Sequence, residues 1–267
     1  MSNLLSRAIT GALFVALLVW CILSGPKFAA VLFLPFTVVG IFELNRILKT
    51  NKQNATLSMF LGILGYLSVV SFKLNPENIY YAKLLLAALF VVGFINSFIS
   101  KKRDLSVLFS LIYVAIPFGV IVNLVNLGID LTTSEHKNLA LSFFIMLWCN
   151  DTFAYVFGRL LGKNKLAPSI SPGKTWEGFI GGALMAVIAG LLISNYYYQH
   201  SVHLIILAAI VVVFGTLGDL MESKLKRLSG MKDSGTILPG HGGVLDRFDG
   251  ALLAAPMFLT YLYIINL

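Results

Sequence analysis

Long apolar runs recur along almost the whole chain, and they restrict its fold more than any other feature. Nine runs of about 16 to 23 residues can each cross a bilayer as a helix once flanks and tilt are allowed. They are continuously apolar and do not alternate, which favours helices over the strands of a membrane barrel. The predicted spans are Ala8–Ser24, Phe28–Leu44, Leu57–Phe72, Ala82–Ile99, Leu105–Leu127, Leu139–Phe157, Trp176–Ser194, Leu204–Glu222 and Ala251–Leu267.

The composition agrees with a membrane protein. Only 12% of the 267 residues are charged, whereas soluble domains have about 25%. The sequence therefore predicts an all-α, polytopic integral membrane protein with about nine transmembrane helices. The net charge of +8 is typical of loops that face anionic lipid headgroups, so we expect no nucleic-acid partner.

The basic residues divide unequally between the two sides of the predicted helices. Sixteen Lys and Arg lie on the side of the amino terminus and four on the other. Because Lys and Arg concentrate in cytoplasmic loops, we expect a cytoplasmic amino terminus in a multi-pass protein of the inner (plasma) membrane. An amino-terminal multi-span region, 1–104, is expected to precede a carboxyl-terminal multi-span region, 105–267, with cytoplasmic loops 158–175 and 223–249.

The loop Ser223–Asp249 is the most polar part of the chain. It holds five of the 20 Lys and Arg and three of the 12 acids, together with Gly240, Gly242 and Gly243. Such glycines let backbone N–H groups approach phosphate oxygens. The loop therefore indicates a phosphate site and not merely a connector.

Acidic residues within or beside the spans are costly in a membrane, so each is a functional candidate. Glu43 precedes Arg46 by three residues and is expected to pair with it. Asp151 has no basic residue on its own helix until Arg159, and a metal, a tertiary partner or a water-filled cavity must stabilise it. One stripe of a helix carries Asp219, Glu222, Ser223 and Lys226. This arrangement fits a metal-and-phosphate site, and it fits equally well a network in which these side chains bond only one another.

Two carboxylates at separate helix ends fit a hard cation. Asp219 ends the eighth predicted span and Asp246 precedes the ninth, and the intervening loop returns the chain to the same face. Mg²⁺ takes carboxylate oxygens and keeps positions open for substrate phosphates. We expect Asp219 and Asp246 to hold Mg²⁺, with Asp249 or Asp151 as a further ligand and with room for a second cation.

The loop before the seventh span has a second polar motif. Lys174 is a candidate phosphate ligand, and Ser171 or Thr175 is placed to cap the next helix, with Glu177 in its first turn. These residues either cap the helix for structural reasons alone, or the amino terminus of the helix binds an anion.

The loop Ser223–Asp249, called the central loop below, resembles the signature of the phosphatidate cytidylyltransferase family, the CDP-diacylglycerol synthases. The residues that carry the resemblance are Ser223, Lys226-Arg227, Lys232-Asp233, Pro239, His241-Gly242-Gly243, Asp246-Arg247 and Asp249. The stretches Asp151–Gly162 and Ser171–Gly178 are also similar to that family, whereas the first half matches only as a hydrophobic region.

The resemblance implies that CTP and phosphatidic acid give CDP-diacylglycerol and pyrophosphate with Mg²⁺, in a lipid bilayer. A homodimer is one expected assembly. The residues expected to be catalytic are Asp219, Asp246, Lys226 and Arg247, and those expected to bind substrate are Ser171, Lys174, Thr175, Ser223, Arg227, Lys232, His241, Gly242 and Gly243.

Two other functions stay open. One is a CTP-dependent enzyme that acts on another lipid, such as a polyprenol. The other is a transporter, in which Asp151 and Asp219 would bind a coupling ion. The concentration of charge on one side argues against a transporter.

Overall fold

The computed structural model describes residues 3–74, 79–99, 104–127, 138–197, 201–237 and 242–265, and these are almost entirely helical. One helix is interrupted by a π-helical turn, Ser110–Ala115. Two short strands, β1 (Lys165–Ala167) and β2 (Ser171–Thr175), precede the helix that begins at Trp176. The helices are α1 (Asn3–Ser24), α2 (Pro26–Ile47), α3 (Lys52–Leu74), α4 (Ile79–Ile99), α5 (Ser106–Phe109), α6 (Ile116–Leu127), α7 (Leu139–Leu161), α8 (Trp176–Tyr197), α9 (Ser201–Ser229) and α10 (Leu245–Ile264).

Six helical segments in the described part of the chain are long and apolar enough to cross a membrane. Two further apolar segments, Ile9–Ser24 and Lys83–Ser97, are shorter. These segments confirm a helical fold with several candidate membrane spans. The count of nine spans and the cytoplasmic amino terminus stay predictions. The six segments are Pro26–Ile47, Lys52–Ser71, Ser106–Leu127, Leu139–Leu161, Trp176–Ile193 and Val202–Ser229.

The fifth predicted span is irregular at the place where its proline predicts a kink. The π-helical turn ends at Ala115, two residues before Pro117. A proline ring lacks an N–H and collides with the carbonyl four residues earlier, so it kinks or locally distorts a helix that contains it. The wider turn is one way for the helix to accommodate the ring.

Glycines allow α7 and α8 to pack closely. A Cβ at Gly178 would collide with the carbonyl oxygen of Ala154, and a Cβ at Gly182 would collide with that of Asn150. Small residues at such spacing are the usual means of bringing membrane helices together, because lipid tails offer no hydrophobic drive for association. This packing fixes the polar end of α7 beside the start of α8.

A short hairpin joins these two helices, in a region for which the sequence predicts a plain loop. Strands β1 and β2 pair antiparallel, with Lys165 opposite Thr175 and Ala167 opposite Ser171. Glu177 closes its base by accepting hydrogen bonds from the backbone N–H and the side-chain amide of Asn164. Over the residues that the structure describes, the fold is thus all-α except for this two-stranded sheet, whose few residues lack any alternating apolar pattern.

Phe248 anchors the start of α10 in the core. Its ring is 2% exposed and lies within 5.1 to 5.8 Å, between ring centroids, of Phe14, Phe33, Phe36 and Phe118. Aromatic pairs in such arrangements contribute about 0.5–1.5 kcal/mol each. Since Asp246 and Asp249 flank Phe248, the core also fixes the place of two candidate site residues.

The predicted topology can be tested by cysteine labelling. The end of α2, the hairpin and the end of α9 lie on one side of the molecule. Glu43 near the end of α2 bonds Val244 before α10, Asp246 in α10 pairs with Lys226 near the end of α9, and Lys174 of the hairpin pairs with Asp219 of α9. With Cys21 and Cys149 replaced by Ala, single cysteines at Lys49, Lys165 and Gly230 should react only with a reagent that reaches the cytoplasm.

The matched control is a cysteine at Lys27, near the first residue of α2 and therefore at the opposite end of the helix. It should react with a membrane-impermeant reagent added outside intact cells. Labelling of the Gly230 position from outside would overturn the predicted orientation.

Candidate active site

Polar residues from two separate segments of the sequence meet in one cleft of about 480 Å³. Its walls come from α7, the hairpin, α8, α9 and the start of α10. Seven residues that the sequence singles out line it, namely Asp151, Ser171, Lys174, Thr175, Asp219, Asp246 and Asp249. The structure therefore brings the hairpin motif and the acids of the central loop into one site.

Lys174 reaches from the hairpin across the cleft to Asp219 on α9. Its Nζ lies 2.6 Å from the Asp219 Oδ2, and both side chains are partly exposed, at 25% and 36%. The Ser223 hydroxyl donates to the other oxygen, Oδ1, over 3.2 Å. A partly exposed ion pair of this kind contributes little stability, so Lys174 can exchange its carboxylate for a substrate phosphate at small cost.

Asp246 is held more tightly than Asp219. Its Oδ1 accepts a hydrogen bond from the Lys226 Nζ over 2.6 Å, and its Oδ2 accepts from the backbone N–H groups of Ser234 and Gly243. Lys226 also donates to the Oε2 of Glu222 over 2.8 Å. Lys226 is thus a largely buried bridge that orients Asp246. Glu222 belongs to the same group of side chains although it is not among the residues expected from sequence to be catalytic or to bind substrate.

The remaining acids are less engaged. Asp249 accepts one hydrogen bond from its neighbouring backbone N–H at Gly250, and Asp151 accepts one from Asn150. Asp219 and Asp151 both lie close enough to Asp249 to repel its charge. Four carboxylates and one lysine are among the described residues that line the cleft, so the cleft is strongly acidic.

This donor set suits a hard divalent cation. Carboxylate oxygens are the ligands that Mg²⁺ prefers, and the mutual repulsion of Asp219, Asp249 and Asp151 is relieved when a cation binds between them. Within the described residues the side chains do not already form a cluster of three or more metal-ligating groups. A metal site here would require these side chains to move closer together, with substrate oxygens completing the coordination.

The other predicted site residues divide into two groups. Thr175 is buried and its hydroxyl accepts the N–H of Gly178, which confirms its expected role as a cap of α8. Gly243 donates to Asp246, and Gly242 has a left-handed φ of 86° that favours glycine. Arg227, Lys232 and Arg247 are exposed and lie outside the cleft lining, and His241 lies outside the described residues.

Glu43 has partners that differ from the one its sequence position predicts. The expected pairing with Arg46 is wrong, because Arg46 is exposed while Glu43 is 1% exposed and points to the central loop. Its carboxylate accepts hydrogen bonds from Ser234, Val244 and Leu245. The partners are about 200 positions away, so only the cost of burying an acid in an apolar helix signalled that a partner existed.

Comparison with known proteins gives a consistent family. The model of the family described as "Cytidylyltransferase family" matches residues 5–265. Phosphatidate cytidylyltransferases of Rickettsia typhi and Rickettsia bellii are 36% identical over 220 and 224 residues, which are 79% and 80% of this chain and 93% and 94% of those proteins.

A phosphatidate cytidylyltransferase of Staphylococcus epidermidis is 50% identical over 128 residues, which are 47% of this chain and 49% of that protein. The chain thus spans about half the length of this staphylococcal relative. The match to the family model, by contrast, extends over nearly the whole chain, and the chain belongs to the cytidylyltransferase family.

Proposed function

We propose that the protein is a membrane enzyme that transfers the cytidylyl group of CTP to phosphatidic acid, giving CDP-diacylglycerol and pyrophosphate. The observation that carries the proposal is the convergence of the hairpin and the central loop on one acidic cleft. Relatives that cover most of this chain have the same activity in their names. The resemblance of the central loop to the phosphatidate signature favours a lipid phosphate over a lipid alcohol as acceptor.

The position of the cleft suits two substrates of different solubility. It is lined by residues 150–155 of α7, by residues 215–219 of α9 and by the largely exposed hairpin, so a nucleotide enters from water while a lipid phosphate stays at headgroup depth. We propose that this side is the cytoplasmic face of the plasma membrane, as the distribution of Lys and Arg predicts.

The reaction is a phosphoryl-centred substitution. An oxygen of the phosphatidate phosphate forms a bond to the α-phosphorus of CTP, and the bond from that phosphorus to the oxygen bridging to the β-phosphorus breaks. Pyrophosphate leaves with the electron pair. Catalysis then depends on positioning and on neutralising charge as it shifts to the leaving group.

Lys174 is the cation of the cleft best placed to serve a phosphate. It is partly exposed, and its carboxylate partner Asp219 can be taken over by a metal. Lys226, by contrast, is only 11% exposed and is shared between Glu222 and Asp246. We assign Lys174 to phosphate binding and Lys226 to orienting Asp246.

Anionic substrates cannot enter an acidic cleft without a counter-charge. We propose that Asp219 and Asp249 hold Mg²⁺, with Asp151 beside them, and that a second cation binds when both substrates are present. Bound Mg²⁺ would neutralise phosphate oxygens and the departing pyrophosphate. Asp246 could contribute only Oδ1, which already accepts the Lys226 Nζ, because Oδ2 accepts the N–H groups of Ser234 and Gly243 and lies 3.0 Å from the Ser234 hydroxyl.

An assay with competing acceptors tests the proposed reaction. Purified protein in mixed micelles should convert CTP and phosphatidic acid to CDP-diacylglycerol and pyrophosphate, measured by mass spectrometry. With a polyprenol in place of phosphatidic acid, no CTP should be consumed. Formation of polyprenyl phosphate and CDP would instead identify a lipid kinase, and solute flux into proteoliposomes without CTP consumption would identify a transporter.

The metal assignment predicts the effect of two substitutions. Asp219→Asn and Asp249→Asn keep side-chain shape but each removes a charge. Each should raise the Mg²⁺ concentration needed for half-maximal turnover by about 10- to 100-fold or more. Loss of a residue that merely hydrogen-bonds a metal ligand already weakens metal binding or activity by that factor. Mn²⁺ binding, measured by electron paramagnetic resonance without substrate, should weaken in parallel.

Asp104→Asn is the matched control. Burial alone would raise the pKa of Asp104, but hydrogen bonds from Asn54 and Ser106 outweigh it and hold the pKa below its usual value. This control therefore also removes a full negative charge, away from the cleft, and should leave Mg²⁺ dependence unchanged. Normal Mg²⁺ dependence in both cleft variants would refute the assignment.

A further inference from the structure

We propose that Glu43, on α2, is a positioning residue of the catalytic centre, which it controls through the loop before α10. The proposal rests on the proposed function, because Asp246 and Arg247 lie directly after the residues that Glu43 binds. It gives the amino-terminal helices a part in positioning the catalytic centre.

Glu43 completes the start of α10 from a distant part of the chain. Its Oε1 accepts the N–H of Val244 over 3.0 Å, and its Oε2 accepts the N–H of Leu245 over 2.9 Å. The first N–H groups of a helix have no partner within that helix, and a residue at its start usually supplies one. Val244 occupies that position, and its apolar side chain cannot do so.

Burial makes this arrangement strongly dependent on the charge of Glu43. The side chain is 1% exposed, so its oxygens depend on the loop and not on water for hydrogen bonds. A negative charge at a helix amino terminus is also favoured by the helix dipole. The substitution Glu43→Gln would turn an amide N–H₂ group toward at least one backbone N–H, which replaces an attraction by a repulsion.

Ser234 connects Glu43 to the cleft. Its hydroxyl oxygen lies 2.9 Å from the Glu43 Oε2 and 3.0 Å from the Asp246 Oδ2. Since a hydroxyl has one proton, Ser234 donates to one of these carboxylates at a time, and its backbone N–H donates to Asp246 over 2.9 Å. A displacement of Glu43 is therefore transmitted to Asp246, which lines the cleft.

Gly235 gives independent support, because the space beside it is reserved for this carboxylate. The three atoms nearest to a Cβ added at Gly235 all belong to Glu43, and the closest is the Oε1, at a distance that no real Cβ tolerates. The backbone of Gly235 is not in the left-handed region. Its lack of a side chain is thus required by Glu43 and not by its own conformation.

Kinetic analysis of Glu43→Gln tests the proposal. A misplacement of about 1 Å in a catalytic group costs on the order of 100-fold in rate, so kcat should fall by that order. The KM for phosphatidic acid should stay within about twofold of wild type, because a pure loss of kcat marks an interaction made in the transition state. Thr37→Val is the matched control, since it removes a buried hydroxyl from the same helix that bonds only Phe33.

Hydrogen exchange supplies a readout that does not depend on activity. The amides of residues 243–249 should exchange faster in Glu43→Gln than in wild type, and not faster in Thr37→Val. If the wild-type protein had no cytidylyltransferase activity, the proposed function would fail while this measurement still decided the role of Glu43. Unchanged exchange together with an unchanged kcat would overturn the proposal.

A suppressor pair covers the case in which Glu43→Gln does not fold. Gly235→Ala should lose activity because its methyl group strikes the Glu43 carboxylate. Adding Glu43→Asp shortens the acid and keeps its charge. The kcat of the double variant should be at least about tenfold higher than that of Gly235→Ala alone, which corresponds to roughly 1.4 kcal/mol. A double variant no more active than Gly235→Ala alone would contradict the contact on which the proposal depends.

Discussion

The arrangement of the site depends on how one partly buried carboxylate, Asp246, is satisfied. Lys226 binds one of its oxygens and two backbone N–H groups bind the other. Buried charges are tolerated only when paired and hydrogen-bonded, and removing one partner of such a pair costs about 3–5 kcal/mol. Every element that supplies a partner is thereby fixed relative to α10. The loop before α10, the polar end of α9 and, through Ser234, α2 are held together by this requirement.

The same requirement separates two kinds of charged group in the cleft. Lys226 and Asp246 are committed to each other, whereas Asp219, Asp249 and Asp151 keep oxygens available and Lys174 is held only by a partly exposed pair. The committed groups give the cleft its shape. The uncommitted groups can exchange partners when a cation and phosphates enter, which is what binding two anionic substrates at an acidic surface demands.

Local features of the sequence predict most of this site. The convergence of Asp219, Asp246 and Asp249 follows from their places at the ends of apolar segments, and the cap at Thr175 follows from its place before α8. Glu43 shows the limit of such reasoning. Arg46, three residues on, is the partner that helical spacing suggests, whereas the true partners are backbone groups about 200 residues later. Side-chain spacing carries no information on backbone donors, and the hairpin is missed for a similar reason, since its pairing is made by backbone groups alone.

The most direct test of the account is the position of a bound metal. Crystals grown with Mn²⁺ and CTP should show an anomalous-scattering peak in the cleft, between the carboxylates of Asp219 and Asp249, with phosphate oxygens completing its coordination. The chain of contacts from Glu43 to Asp246 should be intact in the same crystals. A peak outside the cleft, or nucleotide bound without contact to either carboxylate, would contradict the account.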